Sequence, residues 1–148
     1  MKSQLDKHNI VITGASRGIG AALAQRFANP NTHLILTARN QNKLQNIAAI
    51  CQQQGATVTT HIADISQPQF SEWITKIDQH NPIDLVIANA GISSAIDNNQ
   101  PENLTRLRQM VNTNIVGTLN TIEPLIDAMR QRQSGQIALM GSLASLIA

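Results

Sequence analysis

Five short apolar runs punctuate the chain: Ile10 to Ile12, Leu34 to Leu36, Val58 to Ile62, Leu85 to Ala88 and Ile137 to Met140. Runs this short and this apolar suit strands covered on both faces. Between them, apolar residues recur three and four positions apart over Ile19 to Ala28, Gln41 to Gln54, Pro68 to Gln79 and Asn103 to Arg132, the period of helices with one buried side. Strand and helix thus alternate through the chain, which predicts an α/β domain built on a parallel sheet. Right-handed crossovers lead to the doubly wound solution, with strands in the order 3-2-1-4-5 and a crevice at the carboxyl ends of the first and fourth.

Turn chemistry falls between these segments, at Asn29-Pro30-Asn31, Gln54-Gly55, Asn81-Pro82 and the Asn- and Asp-rich stretch Ser93 to Pro101. No repeat or flexible linker interrupts the pattern. In the long fourth helix, Leu104, Leu107, Met110, Val111, Ile115, Leu119, Ile122, Leu125, Ile126 and Met129 read as one apolar face, and Gly117 and Pro124 are expected to loosen or bend it. Trp73 and the methionines read as core filling.

At 148 residues the chain has room for one domain, residues 1–148. Eleven basic against nine acidic residues leave a formal charge of +2, and the cations are scattered, so nothing suggests nucleic-acid binding. The single Cys51 can close no internal disulfide, and His8, His33, His61 and His80 are too dispersed to suggest a metal site. No run approaches the ~20 apolar residues of a membrane span, and Met1 to Asn9 leads into no signal-peptide pattern. The expectation is a cytoplasmic protein with no membrane partner.

The most informative segment joins the first strand to the first helix: Thr13-Gly14-Ala15-Ser16-Arg17-Gly18-Ile19-Gly20. Three glycines allow a tight turn and a close backbone approach to a pyrophosphate, while the new helix offers unpaired N–H groups and its positive dipole end. The Gly-x-x-x-Gly-x-Gly spacing differs from the common Gly-x-Gly-x-x-Gly fingerprint and lacks the Gly-Lys-Ser/Thr ending of a P-loop. At the end of the second strand, where an acid about 20 residues after the turn would hold a ribose 2′-hydroxyl, the chain reads Thr37-Ala38-Arg39-Asn40. Arg39, with Arg17, offers guanidinium donors to a 2′-phosphate, which favours NADP(H) over NAD(H). The plain alternative for Arg39 is a solvated residue at a strand end.

With its further motifs, the turn resembles that of the short-chain dehydrogenase/reductase family, classical type, whose nucleotide-binding domain is a Rossmann fold. That resemblance implies a cofactor site formed by Gly14, Ser16, Arg17, Gly18, Ile19, Gly20 and Arg39, with Asp64 and Ile65 at the adenine and Asn89-Ala90-Gly91 beside the ribose. Asp64 and Ser66 could equally serve as capping residues for the third helix. Asn89 is implied to brace the sheet. Asn114, in Asn112-Thr113-Asn114-Ile115-Val116-Gly117, matches the family's helix-disturbing Asn that holds a water of the proton relay, and Ser142, after Ile137-Ala138-Leu139-Met140-Gly141, matches its catalytic serine; Ser145 is the weaker candidate.

The family's acid is a tyrosine followed four residues later by a lysine, and this chain contains no tyrosine. The resemblance therefore covers only the amino-terminal part of an ordinary member, and the domain is expected to be incomplete after its fifth strand and inactive alone. In a full-length form the implied substrate is a small carbonyl or alcohol, and the family's paired helices imply a homo-oligomer. Two other readings stand beside this one: a non-catalytic NADP(H)-binding regulatory module, and an interaction protein that lends its sheet edge or long helix to a partner.

Overall fold

A computed structural model describes residues 7–93 and 104–142. The strands β1 (His8–Thr13), β2 (Thr32–Ala38), β3 (Thr57–Ile62), β4 (Leu85–Ala88) and β5 (Gln136–Leu139) form one parallel sheet in the order β3-β2-β1-β4-β5. Helices α1 (Gly18–Phe27), α2 (Gln41–Gln53) and α3 (Gln69–His80) alternate with the first four strands. Helix α4 (Leu104–Val111), a π-helical turn (Asn112–Val116) and α5 (Gly117–Gln131) follow one another before β5. The expected strand order and crevice are both present. The predicted helix start at Asn103, most of the Ser93 to Pro101 turn, and Ser145 lie outside the described residues.

Register explains the two cores. Ile10 pairs with Leu34 and Leu85, so these side chains line up on one face of the sheet, where Ile12, Leu36, Ala24 and Leu44 complete a cluster beneath α1 and α2. Val11, Ile35 and Val86 point the other way, onto Phe70, Ile74, Leu125 and Met129 from α3 and α5. Each fully buried side chain of this size contributes about 1.5–3 kcal/mol. Burial on both faces holds for the three central strands only. β3 is an edge strand, and Thr57, Thr59, Thr60 and Ile62 are exposed, which accounts for a polar composition unlike that of β1 or β2.

The long fourth helix departs from expectation. Residues Gly117, Thr121, Leu125 and Met129 are its buried edge, whereas Leu104, Leu107, Val111, Ile115 and Leu119 are exposed. The apolar positions thus make two faces rather than one, because only the strip four residues apart meets α3 and the sheet. Pro124 does not end α5. It lacks an N–H, and the carbonyl of Asn120 that this leaves without a helical donor accepts from Ser71 Oγ at 3.3 Å.

Two half-buried histidines give the fold a pH dependence. His33 lies across the sheet, with Nδ1 3.0 Å from Asn9 Oδ1 and Nε2 2.8 Å from Thr59 Oγ1; burial, and then the charge of Lys7, hold its pKa below the ordinary 6.5. His61 stacks on Trp73 at 4.0 Å between ring centres, and burial lowers its pKa as well. The folded protein therefore binds fewer protons than the unfolded chain just below the ordinary histidine pKa. Their contribution is complete above about pH 6.5 and is lost as pH falls from there through the folded pKa values. Thermal melts are expected to give a lower Tm at about pH 5.5 than at about pH 7.5, before carboxylates titrate. Equal midpoints would contradict this assignment.

Candidate nucleotide-binding site

A cleft of about 640 Å³ opens at the carboxyl ends of β1, β2, β3 and β4. Its floor is the glycine turn. Gly14 has φ +69°, and a Cβ there would lie 2.8 Å from Ala90 Cα, so the turn and the loop after β4 are in backbone contact. A Cβ on Gly20 would stand 2.3 Å from the Gly14 carbonyl oxygen and 2.5 Å from Asn89 Nδ2. Gly20 is thus needed for packing α1 against the turn. Gly18, at φ +53°, has open space where a Cβ would project, and it begins α1, whose first N–H groups have no partner within the helix.

Asn89 locks this floor to the sheet. Its Nδ2 donates to the Thr13 carbonyl at 3.0 Å, while its own N–H and that of Ala90 both donate to Thr13 Oγ1 at 3.0 Å. These three bonds tie the loop after β4 to the end of β1. Ser16, Arg17, Ile19, Ala90 and Gly91 line the cleft around it.

At the other end, Arg39, Asp64 and Ile65 line the wall, and so does Lys43. Nothing next to Arg39 in the sequence marks Lys43, because no cation follows Arg39 directly. The signal lay one helical turn on: Asn40 caps α2, accepting from the Lys43 N–H at 2.9 Å, which sets the lysine in the first turn above the end of β2. Thr37, also in this wall, has the one buried hydroxyl without a partner among the described residues.

Asp64 does not cap α3. Its Oδ1 accepts from the Ser66 N–H at 2.9 Å and from Ser66 Oγ at 2.7 Å, closing a turn of its own, and Pro68 begins the helix without a side-chain cap. Burial works to raise the Asp64 pKa, but the Ser66 hydrogen bonds and the Arg39 charge outweigh it and the pKa is lowered. An ionised carboxylate with its other oxygen unclaimed by the described residues therefore faces the cleft.

Asn114, Gly20 and Ser142 do not line this cleft. Asn114 sits inside the π-turn, where its Oδ1 accepts from the Ile92 N–H at 2.9 Å and its Nδ2 donates to the Ile92 carbonyl at 2.8 Å. It clasps the loop that continues from Gly91. Its own carbonyl accepts from Thr118 Oγ1 at 2.8 Å. Ser142 follows β5 and is exposed, on the strand whose continuation at Met140 bonds to the Ala88 carbonyl.

The model of the short chain dehydrogenase family matches residues 8–148. The chain belongs to the short chain dehydrogenase family. An uncharacterized oxidoreductase of Staphylococcus saprophyticus is 34% identical over 139 residues, covering 90% of this chain and 58% of that protein. Among solved structures, an NAD+-bound xylitol dehydrogenase superimposes with a TM-score of 0.87 at 20% identity, covering 99% of this chain and 57% of that one. A short-chain dehydrogenase from Sphingobium yanoikuyae in complex with NADPH gives a TM-score of 0.83 at 25% identity, covering 95% of this chain and 55% of that one. The chain spans about half to three fifths of the length of these proteins.

Proposed function

We propose that this chain is the nucleotide-binding part of an oxidoreductase, that its cleft holds a nicotinamide dinucleotide, and that NADP(H) is preferred to NAD(H). The carrying observation is the cleft itself, with a bare-backbone floor at a helix N-terminus and Arg17, Arg39 and Lys43 lining it. Gly18 leaves room for a pyrophosphate over the first N–H groups of α1, and the Asp64 carboxylate suits an adenine amino group. No acid stands at the end of β2 to favour a free ribose hydroxyl. Solved relatives bound to NAD+ and to NADPH support the cofactor class and leave the choice between the two to this chain's own residues.

A nicotinamide held there would supply hydride exchange with a small carbonyl or alcohol. This chain's residues then have separable tasks. Ser142 donates from its hydroxyl to the substrate oxygen, stabilising the charge that develops there. Asn114 fixes the Ile92 loop, and the family pattern it matches assigns it an ordered water of the proton path.

Titrating NADPH and NADH against the chain tests the preference. Charge-assisted contacts to a 2′-phosphate, each worth ~1.5–3 kcal/mol, give at least about tenfold tighter binding of NADPH, and Arg39→Ala is expected to remove most of that margin. Equal affinities, or a preference untouched by the substitution, would refute it.

A further inference from the structure

We propose that Asn120, which lies outside the cleft, is a positioning residue for its adenosine end; this rests on reading the cleft as a nucleotide site. The segment that follows β3 carries Ala63, Asp64 and Ile65 into the cleft wall. Helix α5 passes behind that segment and holds it in place. Asn120 Nδ2 donates to the Ile65 carbonyl at 2.9 Å and reaches the Gln67 carbonyl at 3.4 Å. The Asn120 carbonyl, which Pro124 leaves without a helical donor, accepts from Ser71 Oγ just beyond the segment. One turn earlier, the Ile65 side chain rests on bare backbone at Gly117, where a Cβ would come within 2.5 Å of Ile65 Cγ1.

The carboxylate of Asp64 belongs to the same turn. Ser66 donates to its Oδ1, and the Gln67 N–H donates to its carbonyl at 3.1 Å. Asn120 is the one hydrogen-bond partner of the Ile65 carbonyl among the described residues. The link from helix to cleft is therefore short: Asn120 to the peptides at Ile65 and Gln67, and through that turn to Asp64. Without the amide donor, the Ile65 carbonyl loses its tie to α5 and the turn loosens. The segment must then pay its ordering entropy when the ligand binds.

The test uses adenosine 2′,5′-bisphosphate, which carries the adenosine end and no nicotinamide, titrated calorimetrically against the 148-residue chain. Asn120→Ala and Asn120→Asp, the latter keeping the shape while losing both N–H donors, are each expected to weaken binding by about three- to tenfold. Asn120→Gln, which keeps the donor, is expected to recover part of the loss. Amide exchange supplies the readout that a purely structural role would not give: Ser66 and Gln67 exchange faster in Asn120→Ala and Asn120→Asp, while Val11 and Ile35 in the central strands stay as they were. If Asn120→Ala does not fold, Asn120→Asp and Asn120→Gln decide. Unchanged affinity in the folded variants overturns this role alone. Faster exchange throughout the sheet, with no selective change at residues 66 and 67, overturns it in favour of general destabilisation. A wild-type chain that binds no adenosine bisphosphate overturns the nucleotide reading and this inference with it.

Discussion

The 148-residue chain is expected to show no measurable carbonyl reduction, even at saturating NADPH. Hydride transfer to a carbonyl leaves an alkoxide that needs a proton near neutral pH, and the chain has no tyrosine to supply it. Ser142 can donate a hydrogen bond, but an unassisted serine hydroxyl is a poor acid. Asn114 has its side chain on Ile92. General acid catalysis alone contributes about 10²–10⁴ in rate, and without such an acid turnover is expected to fall below detection. Activity is expected in a form extended through a Tyr-x-x-x-Lys segment, and should fall again when Ser142→Ala is introduced there. Robust turnover by the 148-residue chain, after repurification to exclude contaminating reductases, would mean that another group here serves as the acid.

The largest expected effect on stability comes from Asp78→Ala. Asp78 is 6% exposed, near the carboxyl end of α3. One of its oxygens accepts from the Ile83 N–H at 2.8 Å, and the other accepts from Arg132 Nη1 at 2.7 Å. Arg132 in turn donates to the carbonyls of Ile83 at 2.7 Å and Ser134 at 3.0 Å. This knot joins the ends of α3 and α5 to the segments leading into β4 and β5. Removing the carboxylate strands a partly buried guanidinium and a buried backbone N–H together, and a broken pair of this kind costs about 3–5 kcal/mol. For a chain of this size that lowers Tm by on the order of 10 °C. A shift of a degree or two in Asp78→Ala would show that water takes over both contacts without penalty.

Much of the cleft could be read from sequence because its main requirements are local. A tight turn at a helix N-terminus needs glycine at fixed offsets, and the absence of an acid after Ala38 is plain from the letters. Lys43 is not legible in the sequence because its place depends on the Asn40 cap, which sets the direction in which α2 starts. The single apolar face expected of the fourth helix fails for a related reason. Hydrophobic spacing marks positions that can be buried, but it does not say which strip meets α3, and Leu104, Leu107, Val111, Ile115 and Leu119 satisfy the spacing while remaining exposed.

The sequence by itself determined the alternation of strands and helices, the parallel sheet in the order β3-β2-β1-β4-β5, and the crevice where the glycine turn lies. These follow from hydrophobic period, turn residues and crossover handedness, all of which act over neighbouring residues or through one general rule of chirality. Only the tertiary structure decided that Gly20 is glycine because Asn89 and the Gly14 carbonyl fill the space of a side chain. It likewise decided that Asp64 closes its own turn, that Asn114 clasps Ile92, and that Asn120 reaches Ile65 across 55 positions of sequence. Such contacts join residues far apart in the chain, and their partners are chosen by where packed elements come to rest rather than by any local pattern.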